Sequence, residues 1–379
     1  MSAPIKLVGL LAGDMDRQPD MRQKYGLFFE ALRKRFELLE VYDVSLKGFE
    51  RWLNALQVFQ PDLRLWKEHF FKNVPAFERR SKRAGQFLEQ CEGRYDFALQ
   101  VGVLFDSQAE APSKTVLYSD YTAALSARRP EGGRSPFGPV ELVRWLELER
   151  RAYQRSRHIF VRSQQVRNSL VEDYGMAGSK ITVVGGGFNL SALPAAPSGS
   201  GNCEPTILFI GSDFHRKGGD ILLRAFASVR SQLPSARLLA LTAGPIPAEL
   251  PREGVEVIAP TWDRNKIEAL YRSAQLFVLP SRLETWGDVL LEAMAFRLPC
   301  IGVRGQAMDE IIADGYSGFL VPPEDPAALA QVMMELLTRP EWMARLGEAG
   351  RQRLENEFTW ERVVERILII LSTIIKETE

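Results

Sequence analysis

The stretch Pro280-Ser281-Arg282-Leu283-Glu284-Thr285-Trp286-Gly287-Asp288-Val289-Leu290-Leu291-Glu292-Ala293-Met294-Ala295 decides the fold of this 379-residue chain. Residues 275–279, just before it, form a short apolar run that reads as a buried strand and stops at Pro280. The loop that follows is polar, with Gly287 as its flexible point, and residues 289–295 are strong helix formers. A strand, a loop and a helix N-terminus in that order present unpaired backbone N–H groups to an anion. Glu284 lies in the loop and Glu292 about one turn inside the helix. On a continuous helix that spacing leaves the two well apart in angle, so they share a pocket only if the loop folds back. Carboxylates accept from sugar hydroxyls while helix-end N–H groups hold phosphate, so the arrangement suits a sugar joined to a phosphate. Taken alone, the same residues also describe solvated acids beside a core helix.

Upstream, the plan repeats. Phe209-Ile210-Gly211 ends an apolar strand, the loop Gly211-Ser212-Asp213-Phe214-His215-Arg216-Lys217-Gly218-Gly219 follows, and Asp220-Ile221-Leu222-Leu223-Arg224-Ala225-Phe226 is helical in pattern. Doubly wound folds bind phosphates at such loops. Adjacent Arg216 and Lys217 can neutralise a diphosphate, more effectively in a site poor in water. A solvated basic loop is the alternative. Downstream comes Asp309-Glu310-Ile311-Ile312-Ala313-Asp314-Gly315-Tyr316-Ser317-Gly318-Phe319-Leu320-Val321-Pro322-Pro323.

Glu284 and Glu292, with Pro-Ser before them and Ala-Met-Ala after, resemble the paired-glutamate signature of the retaining glycosyltransferases of family 4, within glycosyl transferases group 1. The strand, loop and helix around Lys217 resemble that family's phosphate-binding element, and residues 309–323 its next element. The three motifs stand in the family's order and cover the C-terminal half; the first half is similar only loosely. The resemblance implies the GT-B fold: two Rossmann-like, doubly wound α/β domains facing across a cleft, with a C-terminal helix crossing back to the first domain. It implies a nucleotide-diphosphate-sugar donor held by Gly211, Ser212, Arg216, Lys217, Thr261, Trp262, Glu284, Trp286, Gly287, Asp288 and Glu292. Thr261 and Trp262 would lie near the base and Glu292 near the ribose, while Glu284, Lys217 and Arg216 would act on transfer. No carboxylate need become a covalent nucleophile. Two departures stand out. Ser212 occupies a position where family members commonly carry arginine, so that charge is assigned to Arg216, and the first loop lacks the paired glycines many members show. Asp120, ending the strand 115–118, stands close to where the family often places a histidine. There it would orient the acceptor hydroxyl or receive its proton; capping the following turn is the alternative.

Composition sets the bounds. Two ordinary domains fit the length, and 45% apolar with 25% charged residues is usual for a globular protein. Forty-eight basic residues balance 48 acidic ones, which leaves no global electrostatic case for nucleic acid. Cys91, Cys203 and Cys300 are scattered singly, pointing to free thiols in a reducing compartment. Residues 1–6 run into a strand pattern without a signal-like apolar region. The longest apolar run, 367–375, falls far short of the ~20 residues that span a bilayer. A cytoplasmic location is expected.

Along the chain, strand patterns at 5–12, 38–44, 97–101, 115–118, 159–161 and 181–184 alternate with helical ones, as in a parallel sheet covered on both faces. Trp52, Leu53, Leu56 and Phe59 recur at helical spacing. After Gly185-Gly186-Gly187, a Pro-, Ser-, Ala- and Gly-rich segment breaks the pattern. A second series follows, with strands at 207–210, 237–241, 255–258, 276–279 and 300–303, and a last helix near Thr359. The expected domains are residues 1–189 on the acceptor side, a linker at 190–205, a donor-binding domain at 206–358, and a final helix at 359–379 packing back on the first.

The remaining features are weaker. Asp14-Met15-Asp16 has the form of a metal-binding DxD but follows the first strand, and Arg216 with Lys217 offers another counter-charge, so no metal or other cofactor is expected. His69, His158 and His215 have no ligand spacing. Residues 64–83 carry seven basic and two acidic residues among Trp66, Phe70, Phe71 and Phe77. This is either a helix with its apolar side in the core or a weak peripheral contact with an anionic membrane. No Gly-x-Gly-x-x-Gly with a later acid supports a dinucleotide oxidoreductase. The expectation is a retaining, metal-independent glycosyltransferase acting on an unknown glycan, lipid or small-molecule acceptor. Its rivals are a nucleotide-sugar epimerase of the same fold, which needs no acceptor, and a non-catalytic nucleotide-sugar-binding protein.

Overall fold

The computed structural model describes residues 4–107, 114–129, 135–195, 204–243 and 246–377. The chain divides into two compact units, one of residues Met1–Gly187 with Trp360–Glu379, the other Phe188–Thr359. Part of the expected linker, residues 196–203, lies outside the described residues, and Cys203 with it. Cys91 and Cys300 are buried free thiols.

The first unit runs β1 (Lys6–Leu11), α1 (Pro19–Arg35), β2 (Glu37–Asp43), α2 (Gly48–Gln57), α3 (Leu63–Phe71), α4 (Val74–Gln90), β3 (Phe97–Val101), β4 (Thr115–Ser119), α5 (Ala123–Ala127), α6 (Pro139–Arg155), β5 (His158–Val161), α7 (Gln164–Glu172) and β6 (Ile181–Val183). Its sheet has the order β2-β1-β3-β4-β5-β6, and every pair is parallel. Central strands β3, β4 and β5 are buried at every residue, which is why they are nearly continuous apolar runs. Ser163 caps α7 by accepting from Val166 N (3.3 Å), as its place before an apolar-periodic segment predicts.

The second unit runs β7 (Thr206–Asp213), α8 (Gly219–Gln232), β8 (Arg237–Ala243), β9 (Val255–Ile258), α9 (Arg264–Ser273), β10 (Leu276–Val278), α10 (Asp288–Ala295), β11 (Cys300–Val303), α11 (Met308–Ile311), β12 (Gly318–Val321), α12 (Pro326–Leu337) and α13 (Pro340–Glu357). Its parallel sheet has the order β12-β11-β10-β7-β8-β9. Strand β12, the short run Gly318–Val321 before Pro322-Pro323, forms one edge of the sheet by pairing along β11.

The last helix, α14 (Trp360–Lys376), belongs to the first unit. Trp360, Val363, Val364, Ile367 and Leu371 are buried with Phe28, Phe29 and Leu32 of α1, and the Trp360 and Phe28 rings lie 5.0 Å apart. That stripe repeats at helical spacing and accounts for the apolar run at 367–375. No helix among the described residues is long and apolar enough to cross a membrane.

One helix faces the wrong way for the usual rule. The spacing of Trp52 and Leu56 does mark a helix, α2, with Phe59 just past its end, yet these three side chains are 58%, 54% and 61% exposed. The buried residue of α2 is Asn54. The basic run 64–83 is likewise split: Phe77 and Arg80 of α4 are buried, whereas Phe71 of α3 is exposed.

Candidate active site

The two loops singled out in the sequence meet at the carboxyl ends of the strands in the second unit. Strand β7 lies between β8 and β10, so the loops leaving β7 and β10 flank the point where the strand order reverses. Open α/β sheets bind ligands there. Gly218 permits the close approach: its φ is +73°, and a Cβ on it would stand 1.9 Å from the Pro280 carbonyl oxygen. Arg282 N then donates to Arg216 O (2.9 Å), Ser281 Oγ to Arg216 O (3.3 Å), and Arg216 Nη1 to Leu283 O (3.1 Å). Across this seam Lys217 Nζ pairs with the Glu284 carboxylate, the two side chains only 12% and 11% exposed.

Two side chains that the sequence reading left without roles hold the seam rigid. Arg282 donates to both carboxylate oxygens of Asp220 (2.7 and 3.0 Å) and to Glu324 (2.8 Å). Buried Gln306 accepts from Glu284 N (2.6 Å) at Oε1 and donates through Nε2 to Ser281 O (2.7 Å). Above the seam α8 and α10 begin, at Gly219 and Asp288, with Gly287 O accepting from Leu290 N (2.9 Å). The paired Lys217 and Glu284 thus lie in the loops that lead into two helix N-termini, ends that favour anions.

Glu292 faces elsewhere. It is buried, and its oxygens accept from Arg264 Nη1 (3.0 Å) and Tyr271 Oη (3.1 Å) of α9. Burial raises its carboxyl above the usual carboxylate range, with the Arg264 charge and the two hydrogen bonds pulling the other way. The loop therefore gives the two glutamates separate partners: Glu284 the β7–α8 loop, Glu292 the helix that follows Thr261 and Trp262.

The glycosyl transferases group 1 model matches residues 196–353, the span that carries both loops. Residues 196–353 thus carry a glycosyl transferases group 1 domain. The D-inositol 3-phosphate glycosyltransferase of Thermobifida fusca is 29% identical over 222 residues, 52% of this chain and 51% of that protein. A second such enzyme, from Segniliparus rotundus, is 30% identical over 217 residues, 52% of this chain and 48% of that one. The chain thus spans about half the length of the curated relatives it matches. In fold, it superposes on sucrose-phosphate synthase (tll1590) from Thermosynechococcus elongatus with a TM-score of 0.70 at 19% identity, over 98% of this chain and 100% of that one. This is the two-domain GT-B fold that the resemblance implied. Alr3699/HepE of Anabaena, in complex with UDP and glucose, gives a TM-score of 0.65 at 16% identity, over 97% and 99% of the two chains.

Within the group 1 domain the other candidate residues divide. Ser212 and Trp262 are exposed, the latter 64%. Thr261 Oγ1 accepts from Asp263 N (3.0 Å) at the start of α9. Trp286, expected against the donor, is 4% exposed with its ring edge-on to Phe358 (5.9 Å), so its indole supports the loop from beneath. Arg216 is also buried, holding the Leu283 carbonyl, which leaves Lys217 as the cation nearer the surface. In the first unit Asp120 pairs with Lys24 Nζ at 2.7 Å. Burial alone would raise the Asp120 carboxyl, but the charges of Lys24 and buried Arg162 outweigh it and hold it well below the usual range. Such a carboxylate positions a group better than it accepts a proton. Asp14 Oδ1 accepts from the main chain of Asp16 (2.9 Å) and Arg17 (3.2 Å), a local turn. Among the described residues no group of three His, Cys, Asp or Glu is placed to hold a metal ion.

The Arg282–Asp220 clamp has a pH signature. Burial would raise the Asp220 carboxyl, but the hydrogen bonds and charge of Arg282 lower it further than that. A depressed carboxyl contributes stability above its unfolded value, about 3.9, which is lost as pH falls through and below it. Arg282→Ala should therefore destabilise the second unit by about 2–4 kcal/mol at neutral pH. Its stability should fall less than the wild type's between pH ~5 and ~2. Chemical denaturation across that range checks both, and parallel curves for the two proteins would contradict the clamp.

Proposed function

We propose that the chain is a retaining glycosyltransferase that moves a sugar from a nucleotide-diphosphate-sugar donor to an acceptor, without a metal ion. The second unit holds the donor and the first unit the acceptor. The observation that carries this reading is the pair of Lys217 and Glu284, nearly buried in the two loops that lead into α8 and α10. Without ligand, Glu284 neutralises Lys217. A diphosphate offers Lys217 a stronger partner and frees the Glu284 carboxylate for the transferred sugar. Lys217 and the two helix ends then oppose the charge that builds on the leaving group, and in a site poor in water such fixed charges act strongly. They supply the counter-charge that a metal supplies elsewhere. A nucleoside diphosphate as leaving group agrees with the UDP named in the Anabaena complex. A cytoplasmic location goes with this reading.

The two glutamates separate the reading from its rivals. Glu292, held by Arg264 and Tyr271 beside the loop of Thr261 and Trp262, is assigned to the nucleoside end, where its contacts are the same in ground and transition states. Glu292→Gln should raise KM and weaken free nucleoside diphosphate with little change in kcat. Glu284→Gln should lower kcat without weakening nucleoside diphosphate binding. Each change is on the order of 2 kcal/mol, or about thirtyfold. Kinetics and calorimetry in a chelator-containing buffer test this; effects in the opposite order would reverse the two roles. Conversion of donor without acceptor would favour an epimerase, and donor binding with neither hydrolysis nor transfer would favour a binding protein.

A further inference from the structure

The α2–α3 segment is built with its polar side inward. Asn54 is fully buried and donates through Nδ2 to the Phe70 carbonyl oxygen (3.0 Å), while Trp66 Nε1 donates to Ala55 O (2.9 Å). Asn73, also buried, donates to His69 O (2.7 Å) and caps α4 by accepting from Ala76 N (2.8 Å). These bonds fix α2 and α3 as a hairpin and leave its apolar side in water. Phe49, Trp52, Leu56, Phe59 and Leu63 recur every three or four residues and are 54–74% exposed. Half of the large apolar side chains exposed among the described residues lie within residues 49–71. A patch this concentrated marks a docking surface.

Charge identifies the occupant. Residues 47–83 hold nine Lys and Arg against four Asp and Glu, in a chain whose total charges balance. The three acids of the hairpin are already engaged: Glu50 with Arg83 (3.7 Å), Glu68 with Lys72 (3.5 Å), and Asp62 with the first turn of α3 at Leu65 N (3.0 Å). Exposed Arg51 and Lys67, on the same two helices as the stripe, form no ion pair among the described residues. We propose that the α2–α3 hairpin docks on the interface of an anionic lipid bilayer. Phe49, Trp52, Leu56 and Phe59 enter the headgroup boundary, and Arg51 and Lys67 meet lipid phosphates. A symmetric contact between two copies would instead bring these cations face to face. The surface lies upstream of most of the basic run at 64–83, because α4 turns Phe77 and Arg80 inward.

Vesicle flotation tests this without any donor or acceptor, so its outcome is independent of the proposed reaction. The full chain should float with phosphatidylcholine vesicles containing phosphatidylglycerol, and less well with phosphatidylcholine alone or in high salt. The triple change Phe49→Ser, Trp52→Ser, Phe59→Ser should lower partitioning about tenfold or more, and so should Arg51→Glu with Lys67→Glu. All five side chains are exposed, so unfolding temperatures should hold. Failure of the wild type to float with anionic vesicles, or equal flotation of the folded variants, would overturn the proposal. So would a dimer in solution that the serine variant splits into monomers, since the stripe would then be a self-interface.

Discussion

Lys217→Ala is expected to lower kcat/KM for transfer by roughly ten- to 150-fold, the loss of one charge-assisted contact worth about 1.5–3 kcal/mol. The reason is positional. Lys217 follows the loop after β7 and reaches across the seam to Glu284, and Arg216 beside it is taken up by the Leu283 carbonyl. Its removal takes a side-chain cation from the seam and leaves the nearly buried Glu284 carboxylate without its counter-ion. Both effects disfavour an anionic leaving group, and the second also costs stability. Lys217→Arg should recover part of the rate, since the charge survives with altered geometry. Steady-state kinetics on folded protein decide the matter. Activity within a factor of two of the wild type would remove Lys217 from the mechanism.

Gly218→Ala should be the most damaging single-methyl change in the second unit. Its backbone sits at φ +73°, and the added carbon would overlap the Pro280 main chain, which cannot swing away as a side-chain tip can. Left-handed strain and steric overlap together cost roughly 2–5 kcal/mol, lowering the unfolding temperature by roughly 5–15 °C. Gly315→Ala is the control: its φ is +74°, but nothing lies within 4 Å of the added carbon. It should cost only the strain, roughly 1–2 kcal/mol. Differential scanning calorimetry of the two variants separates close approach from backbone preference, and equal losses would mean that the two loops are not in contact at Gly218.

The parts of the fold that the sequence revealed are those whose signal is local. Residues 97–101 and 300–303 are strands at the bounds their patterns gave, because interior parallel strands are apolar at nearly successive positions, and the edge strand 255–258 is bounded by Gly254 and Pro260. The same locality located the Lys217 and Glu284 loops. What stayed hidden depends on partners brought close by tertiary pairing. Arg282 stands in the opening stretch, yet nothing in its neighbours points to Asp220, 62 residues away. Gln306 reaches Glu284 only because β10 and β11 run parallel and release their loops at the same end. Trp286 adjoins the candidate residues in sequence, but adjacency does not say which face an indole takes, and it turned into the core against Phe358. The periodicity of α2 correctly marked a helix and was silent on its orientation, since an outward apolar stripe has the same spacing as an inward one. Asp120 needed Lys24 from α1 before its charge could be judged.

The central claim is that the seam between the β7–α8 and β10–α10 loops binds the diphosphate of a nucleotide-sugar. Calorimetric titration of the full chain with UDP, GDP and ADP, in the presence of EDTA, tests it most directly. One of them should bind at a single site without added metal, and Lys217→Ala, folded by circular dichroism, should weaken that binding roughly ten- to 150-fold. Absence of binding by all three, or a Kd unchanged in Lys217→Ala, would contradict it.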